Sequence, residues 1–75
     1  MITTEEIEKR VQAVILDQFG KEVEPKDVNS VQFIKLVVRI EDEFGVDFGF
    51  DEMNVDLVGE KEKLIQYLYK KINET

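Results

Sequence analysis

The sequence predicts an all-α domain, a small four-helix bundle with three main helices and one short helix between the second and the last. Three observations point there. Apolar residues recur at helical spacing over residues 7–19, 33–44 and 64–72. Capping residues open the first two of these stretches and glycines close them. The one stretch that alternates like a strand, residues 46–50, is too short to make a sheet and has no partner elsewhere. At 75 residues the chain reads as a single domain, 1–75, near the lower size limit for folding without staples.

The first helix is predicted over Thr4–Phe19. Thr3 and Glu6 have capping-box spacing, and Glu5, Glu6 and Glu8 suit the positive end of the helix dipole. Ile7, Val11, Val14, Ile15 and Phe19 form its core stripe, and Gly20 is placed to end it in a left-handed cap. Residues 21–28 are a connection, since Pro25 disfavours helix at Glu24. A link this short favours antiparallel neighbours, with Val23 or Val28 tucked against the core.

The second helix is predicted over Ser30–Phe44, with Asn29 as its cap, Gln32 completing a capping box, and Gly45 at its end. Phe33, Leu36, Val37, Ile40 and Phe44 make the core stripe. Val31, Ile34 and Val38 extend the apolar arc beyond what an amphipathic helix needs. Either a further helix covers that flank or it is an exposed strip for a partner. Phe48, Phe50, Met53, Val55 and Leu57 are too many large apolar groups for a free loop. An ordered crossing is therefore expected, with a short helix near residues 51–56 and Phe48 and Phe50 as core plugs. The crossing is long enough to return along the second helix, so the last helix, over residues 60–72, is expected to run parallel to it. Leu64, Ile65, Leu68, Tyr69 and Ile72 form its inner face, with Glu60 and Glu62 early and Lys70 and Lys71 late.

Composition limits function. The chain has no cysteine and no histidine, so it cannot form a disulfide, a thiolate metal site, or a Ser–His or Cys–His catalytic pair. No paired acid/base constellation stands out among the carboxylates, so an enzyme is not expected. The spacing of Asp47, Asp51 and Asp56 lacks the EF-hand loop pattern, and no metal site is predicted. A net charge of −7 argues against binding nucleic acid or anionic membranes and favours steering towards basic partners. The start MITTEEIEK is not a signal peptide and no apolar run reaches transmembrane length, so the expected address is cytoplasmic.

Ser30 is the only serine in the chain. With Asn29 capping, its hydroxyl is free beside the positive end of a helix, a setting that favours a phosphate. The segments NSVQFIKLV and IEDEFGVDF, followed by a small third element and a closing amphipathic helix, resemble the acyl and peptidyl carrier protein family. The resemblance covers most of the chain. It implies a carrier whose Ser30 bears a covalent 4′-phosphopantetheine arm taken from coenzyme A, with Asn29 as the helix cap beside the attachment site. The arm's thiol would hold acyl, aminoacyl or peptidyl thioesters in fatty-acid, polyketide or nonribosomal peptide type biosynthesis.

The partners implied are a phosphopantetheinyl transferase and loading and transfer enzymes, met by a monomer through Val31, Ile34, Lys35, Val38 and Arg39. Asn29 stands where the family usually has aspartate, Val31 where it has leucine, and the approach to Ser30 is shorter than usual. Fatty-acid carriers usually present acidic residues where Lys35 and Arg39 lie, which tilts the expectation towards peptide or polyketide assembly. The alternative is an unmodified helical interaction module that keeps the fold without the arm.

Overall fold

The computed structural model describes residues 2–74, apart from the side chain of Phe50, whose expected role as a core plug lies outside the described residues. Four helices follow one another: α1 (Thr4–Phe19), α2 (Ser30–Phe44), α3 (Val55–Val58) and α4 (Lys61–Asn73). Short 3₁₀ turns occupy Pro25–Asp27 and Phe50–Glu52, and there is no strand among the described residues. The architecture is thus the all-α bundle expected, with three main helices and one of a single turn.

Both long N-terminal helices begin and end where their local chemistry dictates. The Thr3 hydroxyl accepts the Glu6 N–H at 3.2 Å, and the Asn29 side chain accepts the Gln32 N–H at 2.9 Å. Gly20 and Gly45 close α1 and α2 at φ 72° and 66°, a left-handed conformation that a side chain would strain. α4 has no cap from its own sequence. Instead the Glu24 carboxylate accepts the Lys61 N–H from across the fold, at 3.3 and 3.4 Å to its two oxygens.

α1 lies at the centre, packed against both α2 and α4. Its Ile7, Val11 and Ile15 are wholly buried, and they meet Leu36 and Ile40 of α2 and Leu64 and Leu68 of α4 in one core. Cross-links between α1 and α2 run in opposite order along the two helices. Gln18 bonds Gln32, Asp17 pairs with Arg39, and Arg10 pairs with Glu43. These two helices are therefore antiparallel. α4 is tied near the end of α1 through Lys61 and Glu24 and near its start through Asn73 and the Ile2 carbonyl. It runs against α1 and in the direction of α2, as the long crossing predicts. The Cα radius of gyration, 11.2 Å, matches the ~11 Å expected for a folded domain of this length.

Residues 46–54 differ from expectation in detail. The helical turn lies at 55–58 instead of 51–56, preceded by the 3₁₀ turn at 50–52. Asn54 sets the boundary: its side chain accepts the Leu57 N–H at 3.0 Å and donates to the Asp51 carbonyl at 2.7 Å. One turn of helix is too short to show an apolar period, so only the cap marks it. Phe48 is buried as expected, edge-on to Tyr67 with ring centroids 5.6 Å apart.

Two carboxylates hold this segment down. Glu41 accepts the Phe48 N–H at 2.7 Å. Glu52 accepts the Gly49 N–H at 2.9 Å, the Lys71 ammonium at 2.9 Å and the Tyr67 hydroxyl. The Tyr67 hydrogen bond, then the Gly49 N–H and Lys71, hold the Glu52 carboxyl down at about 2, and the same contact pushes the Tyr67 hydroxyl up to about 12.

These shifts give the Glu52–Tyr67 contact a pH dependence of its own. A carboxyl depressed from 4.5 to about 2 stabilises the fold fully above 4.5, and that contribution is lost as pH falls towards about 2. A phenol raised from 10.0 to about 12 contributes fully below 10.0 and loses its contribution as pH climbs through about 12. Glu52→Gln is expected to be less stable than wild type at neutral pH and to lose less stability on acidification below 4.5. Urea melts at a series of pH values check this, and parallel acid limbs for the two proteins would contradict it.

Candidate functional site

Ser30 occupies the first helical position of α2, directly after the cap residue. It is exposed, and its hydroxyl has no hydrogen-bond partner among the described residues. Because Asn29 serves Gln32 through its side chain and Phe33 through its carbonyl, the N–H groups of Ser30 and Val31 have no acceptor among the described residues. Two free donors and the positive helix end thus stand beside an unengaged hydroxyl, an arrangement suited to a phosphate ester.

The position of Ser30 is fixed by the preceding connection, which is fastened to the junction of α3 and α4. Pro25, alone in its 3₁₀ turn, is fully buried. The Lys26 N–H donates to the Gly59 carbonyl at 2.8 Å, and the Lys26 ammonium reaches Glu60 at 3.1 Å. That exposed pair raises the Lys26 pKa and lowers that of Glu60, in both cases first through their hydrogen bond. The Lys61 N–H bonds Glu24, and its ammonium pairs with Glu22. Sequence reading expected Val23 or Val28 to tuck inward. Both do so in part, but the fully buried residue is Pro25.

This fastening brings α3 up to Ser30. An open groove of about 420 Å³ is lined by Pro25, Lys26, Ser30, Ile34, Met53 and Val55, among others. Lys26, Met53 and Val55 are the site residues that sequence reasoning missed. They approach Ser30 only through the tertiary fold, and no local pattern announces it.

The strip on α2 is resolved by exposure. Val31, Ile34 and Val38 are 63%, 54% and 42% exposed, so none of the described helices covers that flank. The covered reading fails because α3 is a single turn that packs on the Pro25 turn and α4 instead. Lys35 is exposed and has no carboxylate within ion-pair distance among the described residues. Arg39 lies beside Val38 and pairs with Asp17 of α1 at 2.6 Å. Of the acidic residues ending α2, Glu41 holds Phe48 and Glu43 holds Arg10, leaving Asp42 on the surface. Tyr67 of α4 is half-buried and bonded to Glu52, away from this face.

Among the described residues no cluster of carboxylates is arranged to hold a metal, and no helix is long and apolar enough to cross a membrane. No protein-family model, curated protein or solved structure matches this chain.

Four substitutions separate the strip from the scaffold. Val31→Asp and Val38→Asp, at exposed sites, should each change stability by only about 0.5 kcal/mol. Val37→Asp, on the buried face of the same helix, should unfold the protein by burying an unpaired charge. Gly59→Ala should cost about 1–3 kcal/mol, since a Cβ there would stand 2.3 Å from the backbone oxygen of Val55. Thermal and urea melts of the four variants check this. Equal losses for valines 31, 37 and 38 would place the strip in the core.

Proposed function

We propose that the chain is an acyl, aminoacyl or peptidyl carrier whose Ser30 bears a 4′-phosphopantetheine arm. The observation that carries the reading is the Ser30 hydroxyl, exposed at the start of α2, relieved of capping by Asn29, and bordered by the uncovered residues Val31, Ile34 and Val38. The residues present suit the group. The free N–H groups of Ser30 and Val31 would favour the phosphate, and the apolar wall of Ile34, Met53 and Val55 would face the arm. When attached, the arm supplies a thiol to a chain that has no cysteine.

In attachment, the Ser30 oxygen bonds the phosphorus next to the pantetheine of coenzyme A, the nucleotide part leaves, and the hydroxyl proton passes to a base of the transferase. Afterwards the protein itself does no chemistry. Its residues anchor the arm, present the α2 strip to a transferase and to loading and transfer enzymes, and keep the thioester near successive active sites by tethering. The setting is a biosynthetic pathway of the peptide or polyketide type more than housekeeping lipid synthesis, because Lys35 and Arg39 lie on the exposed face.

A second reading, an unmodified interaction module, is favoured by the uncharged Asn29 beside Ser30 and by the exposed strip, which can bind without an arm. Intact-mass measurement after incubation with coenzyme A and phosphopantetheinyl transferases, both broad-specificity and cognate, separates the two. The carrier reading predicts a gain of one phosphopantetheine on wild type and none on Ser30→Ala. No gain leaves the module, and a gain that survives Ser30→Ala overturns attachment at Ser30.

A further inference from the structure

Ile34 stands between two depressions. One is the groove beside Ser30; the other, about 590 Å³ and open, is lined by Gln18 of α1 and by Gln32, Ile34, Lys35, Val38 and Arg39 of α2. The second has an apolar ridge, two neutral amides and a cationic rim, and no carboxylate lines it. Lys35 has no ion-pair partner among the described residues, while Arg39 is braced by Asp17. On a chain of net charge −7, Lys35 is thus an uncompensated cation at the rim of this depression.

We propose that this depression receives an acidic amphipathic helix of a partner protein. Val31, Ile34 and Val38 recur every three or four residues along α2, so they present one apolar contact per turn to a helix laid alongside. Lys35 and Arg39 flank that row and match carboxylates on the partner's edge. The charge of the whole chain favours basic partners at long range. At physiological salt, however, charges are screened over about 8 Å, so a docked helix responds to the rim. The same balance disfavours an anionic membrane, which would also face the acidic remainder of the surface. The inference goes beyond the carrier reading, because nothing in it requires a group on Ser30.

The test is a titration of the ¹⁵N-labelled full chain with two synthetic helical peptides. Each carries leucines at helical spacing, flanked by glutamates in one and by lysines in the other. The glutamate peptide should shift the amides of residues 31–39 and of Gln18, and bind more tightly as salt is lowered. Lys35→Glu should weaken it by about fivefold or more while melting like wild type. Val38→Asp should abolish binding, and Ser30→Ala should leave it unchanged, so that failure of the arm and failure of this contact are read separately. Equal or tighter binding of the lysine peptide, no shift with either peptide, indifference to Lys35→Glu, or binding to phosphatidylglycerol vesicles in place of the glutamate peptide would each overturn the proposal.

Discussion

The Lys26 N–H and the Gly59 carbonyl meet at 2.8 Å, and the surroundings of Ser30 depend on that bond and its neighbours. A one-turn helix such as α3 has almost no stability of its own, because nucleation fixes several residues for a single hydrogen bond. It persists by docking. Val58 goes into the core, the Pro25 turn lies against it, and Glu24 caps the helix that follows. Without that attachment there is no wall opposite α2 and no groove at Ser30.

The boundaries of α1 and α2 were legible because their causes are local. A threonine or asparagine three residues before a free N–H and a glycine at positive φ act within one turn, and both leave a mark in the sequence. The core stripes were legible for the same reason. α3 was displaced by a few residues because a single turn carries no period. The flank of α2 stayed undecided because its exposure depends on where α3 lands, and a bond between residues 26 and 59 decides that. Ser30 and its cap could be read directly. Lys26, Met53 and Val55 could not, since only the fold brings them to the serine.

Charge shows the same division. Counting residues gives an acidic protein, but many of its carboxylates serve as internal fastenings. Glu41 and Glu52 secure the crossing segment, Glu24 opens α4, and Glu43 holds Arg10 over the Phe44 ring. Exposed ion pairs such as Arg39–Asp17 add little to stability. Their effect is positional: they fix which charges face outward beside the α2 strip. At the acidic end of α2, Glu41 and Glu43 are committed to the domain's own architecture and Asp42 is left to solvent.

Asn29 and Ser30 are neighbours with separate duties, since one closes the helix end and the other takes no part in holding the fold. Residue 30 is therefore free to vary chemically without a mechanical penalty. An ester, a bulky conjugate or a different nucleophile at that position would leave the helix end as it was. Any group attached there would pivot from the start of α2, with its reach set by its own length and stiffness.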